Sequence, residues 1–156
     1  MTTQTWTRGD FEVSTDPARV DLAVTHGFLT SDAHWSEAVP MEIVERAIAN
    51  SIVFGAYKGA AQVGFLRVVS DRATFAWIGD VFVLPDHRGQ GLSKFLMECA
   101  IGHPELQGLR RWMLATRDAH GLYKRYGFTE LHDATRFMER WDPEIYKRPP
   151  GSGPNG

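Results

Sequence analysis

Apolar positions along the chain follow a helical period first and a strand-like one afterwards. Asp16-Pro17 offers an N-cap followed by a proline at the first helical position, and Val20, Ala23, Val24 and Phe28 form one stripe behind it. Gly27 is placed to end that helix. A second helix is expected from about Pro40, with Ile43, Val44, Ala47 and Ile48 on its apolar side, stopping before Asn50-Ser51. Between them lies a polar and aromatic linker, LTSDAHWSEAV. From Ile52 the pattern turns to strands: Ile52 to Tyr57, Gln62 to Val69 after a hairpin connection at Lys58-Gly59-Ala60-Ala61, and Thr74 to Val83 after the turn Ser70-Asp71-Arg72. Three successive strands make an antiparallel meander.

Leu92, Phe95, Leu96, Cys99 and Ala100 then share one helical face, closed by Gly102-His103-Pro104. Arg110 to Thr116 reads as a further strand. Asp118 is a candidate cap for a short helix carrying Ala119, Leu122, Tyr123 and Tyr126, with Gly127 as a left-handed stop. An extended segment from Thr135 to Trp141 completes the expected class, an α+β fold with a mixed, mostly antiparallel sheet flanked by helices. Residues 1–146 form one domain in this scheme, and residues 147–156, ending in RPPGSGPNG, a flexible tail.

Composition narrows the function classes. The chain has 156 residues with 17 Lys plus Arg against 19 Asp plus Glu, a formal charge of −2, so no bulk positive field recruits nucleic acid. A single cysteine, Cys99, forbids an intrachain disulfide and falls on an apolar helix face, where packing is its expected role. The start MTTQTWTRGDFEV lacks the basic and apolar regions of a signal peptide, and no run of 18 apolar residues occurs. A soluble, cytoplasmic protein without nucleic-acid or membrane partners is therefore expected. His26, His87, His103 and His132 show no HxH or HExxH spacing, so no metal site is expected.

Chemistry concentrates in Val81-Phe82-Val83-Leu84-Pro85-Asp86-His87-Arg88-Gly89-Gln90-Gly91-Leu92-Ser93. An apolar strand enters a glycine-punctuated turn that opens directly onto an amphipathic helix. Unpaired backbone N–H groups converge there at the positive end of a helix, which makes an anion site. Glycines at 89 and 91 allow close approach of a ligand, and Arg88 adds a cation; a plain strand-to-helix turn with a surface arginine is the competing reading. Two phosphate-binding patterns are excluded by spacing. GxGxxG would need a third glycine where Lys94 stands, and GxxxxGK[ST] is absent.

Arg88-Gly89-Gln90-Gly91-Leu92-Ser93 resembles the acetyl-CoA signature [RQ]-x-x-G-x-[GA] of the GCN5-related N-acetyltransferase (GNAT) superfamily, departing only at Ser93, which is still small. About 30 residues on, Ala119-His120-Gly121-Leu122-Tyr123-Lys124-Arg125-Tyr126-Gly127-Phe128 resembles the family's A-x-x-L-Y-x-x-x-G-F. The resemblance spans about Ile52 to Phe128. It implies that acetyl-CoA, as cosubstrate, binds at a splayed strand and the following helix N-terminus. The contacts would come from Phe82, Val83, Arg88, Gly89, Gln90, Gly91, Leu92 and Ser93, with Thr116 standing where the family carries an asparagine.

Acetyl transfer from a thioester to an amine needs a neutral nucleophile, a polarised carbonyl and a proton for the departing thiolate. The resemblance places the general acid at Tyr123, against a competing role in core packing beside Leu122 and Tyr126. Asp80 lies among apolar residues and requires a partner; it either serves the acceptor's ammonium, as anchor or proton receiver, or pairs with Arg67 or Arg117. Glu37 on the linker is a weaker base candidate. Phe28 and Trp35, with His34, belong to the helix-to-helix segment that lines the acceptor pocket in this family, and His120 shares a helix face with Tyr123. The expected activity is acetyl-CoA-dependent N-acetylation of a small amine or a peptide amine. A non-catalytic acyl-CoA-binding regulatory module of the same fold is the alternative. Oligomeric state, homodimer included, is left open.

Overall fold

The computed structural model describes residues 2–149. Residues 150–156 of the expected tail lie outside them, and the described chain ends just beyond a single 3-10 turn at Ile145–Lys147. One six-stranded sheet runs in sequence order: β1 (Thr5–Arg8), β2 (Phe11–Ser14), β3 (Ile52–Lys58), β4 (Ala61–Ser70), β5 (Phe75–Val83) and β6 (Arg111–Leu114). Every neighbouring pair is antiparallel except β5 with β6. Helices α1 (Leu22–Ser31), α2 (Met41–Ala49), α3 (Leu92–Ile101) and α4 (His120–Lys124) complete it.

The central strands are buried on both faces, which is why Ile52 to Tyr57 is almost wholly apolar in sequence rather than alternating. One face carries Val53, Phe65 and Phe82 against Phe28 and Leu29 of α1 and Val44 and Ile48 of α2. The other carries Ile52, Phe54, Leu66, Val68 and Ile78 against Phe95, Leu96 and Ala100 of α3. The α+β class, the β3–β4–β5 meander and the three main helices are as the sequence implies.

Local details differ for identifiable reasons. The first helix is split: Asp16 caps only a 3-10 turn at Pro17–Arg19, and Asp21 caps α1 by accepting the Val24 N–H at 3.1 Å. Gly27 lies inside α1, tolerated at about 1 kcal/mol relative to alanine. The N-terminal β1–β2 hairpin was not expected, although Gly9 at φ 58° sits at its turn. Ala119, not Asp118, is the N-cap of α4. The segment from Thr135 to Trp141 forms no strand; the Asp133 carboxylate accepts the Thr135 N–H and starts a 3-10 turn, and the Arg111 guanidinium covers the Phe137 ring at 4.9 Å.

His103, fully buried beside the rings of Trp6 and Phe54, is part of this core. Its Nδ1 accepts the Glu105 N–H at 3.1 Å, while Nε2 has no hydrogen-bond partner among the described residues. Burial holds its pKa below the ordinary 6.5, reinforced by Arg72 and opposed by Glu105. Below pH 6.5 the unfolded chain therefore takes up a proton that the folded chain refuses, and stability present above that pH is lost as the pH falls. Urea unfolding between pH 7.5 and 5.5 should show this loss, at most about 1.4 kcal/mol per pH unit from this residue, and His103→Gln should lack that component.

Candidate active site

The parallel pairing of β5 with β6 runs from Phe75 opposite Arg111 to Ile78 opposite Leu114 and then stops, while β5 continues to Val83 against β4 alone. Beyond Leu114 the chain turns away, because the Thr116 hydroxyl accepts the Ala119 N–H at 3.0 Å and leads into α4. On the β4 side, Gly79 pairs with Arg67 and Phe82 with Phe65, so β5 carries one extra residue there. That extra residue makes a bulge, with Asp80 at φ 54°, a left-handed conformation that aspartate tolerates better than most residues with a β-carbon. The strands thus splay, and a cleft of about 520 Å³ opens between them, lined by Trp35, Trp77, Asp80, Leu114, Thr116 and Tyr123 among others.

The glycine turn lies at the far end of the same strand. Gly89 and Gly91 have φ of 78° and 79°, which favours glycine at both. The helical ladder of α3 starts with the Phe95 N–H donating to the Gly91 carbonyl at 3.0 Å, leaving the N–H groups of Leu92, Ser93 and Lys94 without partners inside the helix. A shallow cleft of about 290 Å³ adjoins them, lined by Val83, Arg88, Gly89, Gly91, Leu92 and Ser93 among others. A β-carbon on either glycine would meet nothing within 4 Å, so the space above the turn is open to a ligand. The Arg88 Nε donates to the Val83 carbonyl at 3.0 Å, tying the guanidinium to the strand end. These groups suit a phosphate-bearing ligand; Gln90, which is exposed, does not line the cleft.

Tyr123 is buried, with its ring edge-on to Phe128 at 6.1 Å, and its hydroxyl makes no hydrogen bond among the described residues. It borders the 520 Å³ cleft and also a second one of about 530 Å³ between β6, α4 and residues 128–131, which His120 lines as well. Burial, reinforced by Asp118, pushes the phenol above its ordinary 10.0, so it stays protonated throughout the neutral range. The Tyr126 hydroxyl, by contrast, is engaged, donating to the Lys94 carbonyl at 3.3 Å and to Glu98 at 3.4 Å.

Both carboxylate oxygens of Asp80 are in use. Oδ2 accepts from Arg67 Nε at 2.9 Å and Oδ1 from Trp35 Nε1 at 3.1 Å. Arg67 in turn donates through Nη1 to Ser51 Oγ at 3.1 Å, and Ser51 donates to the Ala47 carbonyl at the end of α2. Of the partners the sequence offers Asp80, Arg67 is the one that the structure pairs with it.

Phe28 is not brought to the cleft. Its ring is 6% exposed and stacks on Phe82 at 4.2 Å and 11°, with Phe65 behind. Phe82 is likewise core and lines none of the three clefts, and Leu92, though it borders the cleft of about 290 Å³, is 2% exposed. Glu37 is exposed and lines neither cleft, whereas His34 lines the 520 Å³ cleft with its ring edge-on to Trp35 at 5.2 Å. Trp77 was missed, since an aromatic in an apolar strand carries no mark of which face opens. Among the described residues no group of three or more His, Cys, Asp or Glu could hold a metal, and no helix is long and apolar enough to cross a membrane.

Residues 49–130 match the family model of the acetyltransferase (GNAT) domain. The chain belongs to the GNAT family. A Gibberella zeae protein, FG08082, provisionally named an acetyltransferase, is 34% identical over 153 residues, covering 83% of this chain and 85% of that protein. The uncharacterized N-acetyltransferase ycf52 of the alga Gracilaria tenuistipitata var. liui is 33% identical over 105 residues, 64% of this chain and 58% of its own. A GNAT-family crystal structure from Xanthomonas campestris pv. campestris is 51% identical, with a TM-score of 0.87 over 88% of this chain and 97% of that one. Glucosamine-6-phosphate N-acetyltransferase from Arabidopsis thaliana, 14% identical with a TM-score of 0.62 over 84% of this chain and 97% of that one, shares the fold. This GNAT chain is accordingly an enzyme of acetyl transfer, and its family generally uses acetyl-CoA.

Gly91→Val should remove acetyl-CoA binding, measured by calorimetry, because a branched side chain fills the open space above the turn. Left-handed strain of about 1–2 kcal/mol should lower the Tm by only several degrees. Arg88→Ala should weaken binding less, and the deficit should shrink as salt is raised.

Proposed function

We propose that this GNAT enzyme transfers an acetyl group from acetyl-CoA directly to a primary amine, in a ternary complex and without a covalent enzyme intermediate. The observation that carries this is the position of Tyr123. Tyr123, a protonated phenol whose hydroxyl makes no hydrogen bond among the described residues, lines the cleft formed where β5 and β6 part, beside the strand whose far end enters the glycine turn. When bound, acetyl-CoA supplies an acetyl group activated as a thioester.

The chain's own residues then have separable tasks. The turn from Arg88 to Ser93 holds the phosphates through backbone N–H groups and one cation. Backbone groups of β5 near Phe82-Val83, on the side that β6 has left, hydrogen-bond the ligand and polarise its carbonyl. Tyr123 donates its phenolic proton to the departing sulfur. The acceptor must arrive as, or become, a neutral amine. An alkyl ammonium of pKa about 10.4 sits roughly 4.6 kcal/mol from that state at pH 7, so its proton passes to water in the cleft or to a nearby base. Trp35 and Asp80 define the acceptor side.

Acetyl-CoA should stabilise the fold by about 2.7 kcal/mol at a hundredfold excess over its Kd, visible as an upward shift in Tm. An unchanged Tm together with no heat of binding would remove the cosubstrate assignment. Tyr123→Phe keeps the ring and its contact with Phe128, so affinity and Tm should stay near those of the parent. The single-turnover rate should fall by about 10²- to 10⁴-fold. The high-pH limb of the parent's rate profile should lie above pH 10.0, in line with the raised phenol, and vanish in the variant. A rate within threefold of the parent would reduce Tyr123 to a wall of the pocket.

A further inference from the structure

Three features place an exchangeable carboxylate in the acceptor cleft. Asp80 is held in its left-handed bulge by Arg67, which is itself anchored through Ser51 to the end of α2. The other oxygen of Asp80 holds only the neutral indole N–H of Trp35, a residue of the linker that is 47% exposed. Both groups line the same 520 Å³ cleft, whose remaining surface is largely apolar and aromatic, with Trp77, Ile78, Leu114 and Tyr123 in it. A neutral donor in a place that a ligand can reach is a weak occupant of a carboxylate. A charged ammonium N–H makes a shorter and stronger bond to the same oxygen.

From this we infer that Asp80 Oδ1 is the acceptor's ammonium anchor, taken over from Trp35 on binding, and that the acceptor is a primary amine on a flat apolar body, an arylalkylamine. This rests on the proposed transfer to an amine and names its substrate class. Arg67 stays on Oδ2 and keeps the carboxylate aimed into the cleft, while the indole of Trp35, released from its bond, lies against the apolar body of the ligand. A cleft of this volume admits one ring and a short arm beside the thioester. The other charged or titratable groups lining it are His34, Arg117, Asp118 and the phenol of Tyr123. Arg117 would favour an acceptor carrying a carboxylate, so the test includes one.

Asp80→Asn is the informative variant, because asparagine tolerates positive φ, lacks the charge and keeps one acceptor oxygen for the two donors, Arg67 Nε and Trp35 Nε1; its Tm is taken alongside to show that the fold persists. Binding is measured by calorimetry on protein loaded with coenzyme A, which has no acetyl group to transfer. The ligands are 2-phenylethylamine, phenylalanine as the same ring with a carboxylate, and putrescine as an amine without a ring. The parent should bind 2-phenylethylamine at least tenfold more tightly than either of the others. Asp80→Asn should weaken that binding by about 10- to 100-fold, and Trp35→Phe, which removes the competing N–H and keeps a ring, should bind it at least as tightly as the parent.

An Asp80→Asn affinity within threefold of the parent overturns the anchor. A loss in Trp35→Phe as large as in Asp80→Asn makes the indole bond a strut rather than an exchangeable contact, and preference for phenylalanine or putrescine overturns the substrate class. Acetylation of 2-phenylethylamine is assayed separately. Binding as expected without acetyl transfer would overturn the proposed reaction and leave the anchor standing; transfer that is indifferent to Asp80→Asn would do the reverse.

Discussion

The separation of β5 from β6 past Ile78 and Leu114 is the constraint on which the rest of the site depends. A parallel pair that stayed in register to the end of β5 would satisfy its backbone groups within the sheet and leave no room for a ligand. Two local causes end the pairing. β6 turns off after four residues into the Thr116–Ala119 cap of α4, and β5 carries an additional residue at the Asp80 bulge. One sheet edge is thereby opened in its interior, and Tyr123 is delivered to it by the helix that begins where β6 ends.

Charge reinforces that geometry. A carboxylate among apolar strands is unfavourable unless it is paired and hydrogen-bonded, and Arg67 supplies both from the neighbouring strand. Because Arg67 also reaches Ser51, the ion pair connects β5 to the end of α2. The indole of Trp35 connects the same carboxylate to the linker between α1 and α2. β4 and the linker thus meet on one side chain, and the end of α2 joins them through Arg67.

The aromatic stack of Phe28, Phe82 and Phe65 sets the position of the helical layer over this side of the sheet. By packing α1 against β5 beside the cleft, it keeps the linker that follows α1 within reach of Asp80. Phe28 therefore supports the 520 Å³ cleft from beneath rather than walling it, since a ring stacked at 4.2 Å inside the core has no face left for a ligand.

Much of this was legible in the linear chain wherever short-range rules apply. Periodicity marked the meander and the amphipathic helices. Gly89 and Gly91 marked a turn needing positive φ ahead of a helix, and the two spaced motifs from Arg88 and from Ala119 pointed to the family and to Tyr123. Local competition misplaced other features: two aspartates, Asp16 and Asp21, vie for one helix start, and the Asp133 turn prevails over the extended pattern around Phe137. What only the tertiary structure decided is long-range. Which ring of Phe28 and Trp35 faces the cleft depends on how the helical layer seats on the sheet. Whether Asp80 meets Arg67 depends on strand register, and the carboxylate's second partner comes from 45 residues away. Sequence spacing encodes neighbours along a helix or strand, whereas the cleft between β5 and β6 is made by side chains brought together only when β4, β5, β6 and the linker have packed.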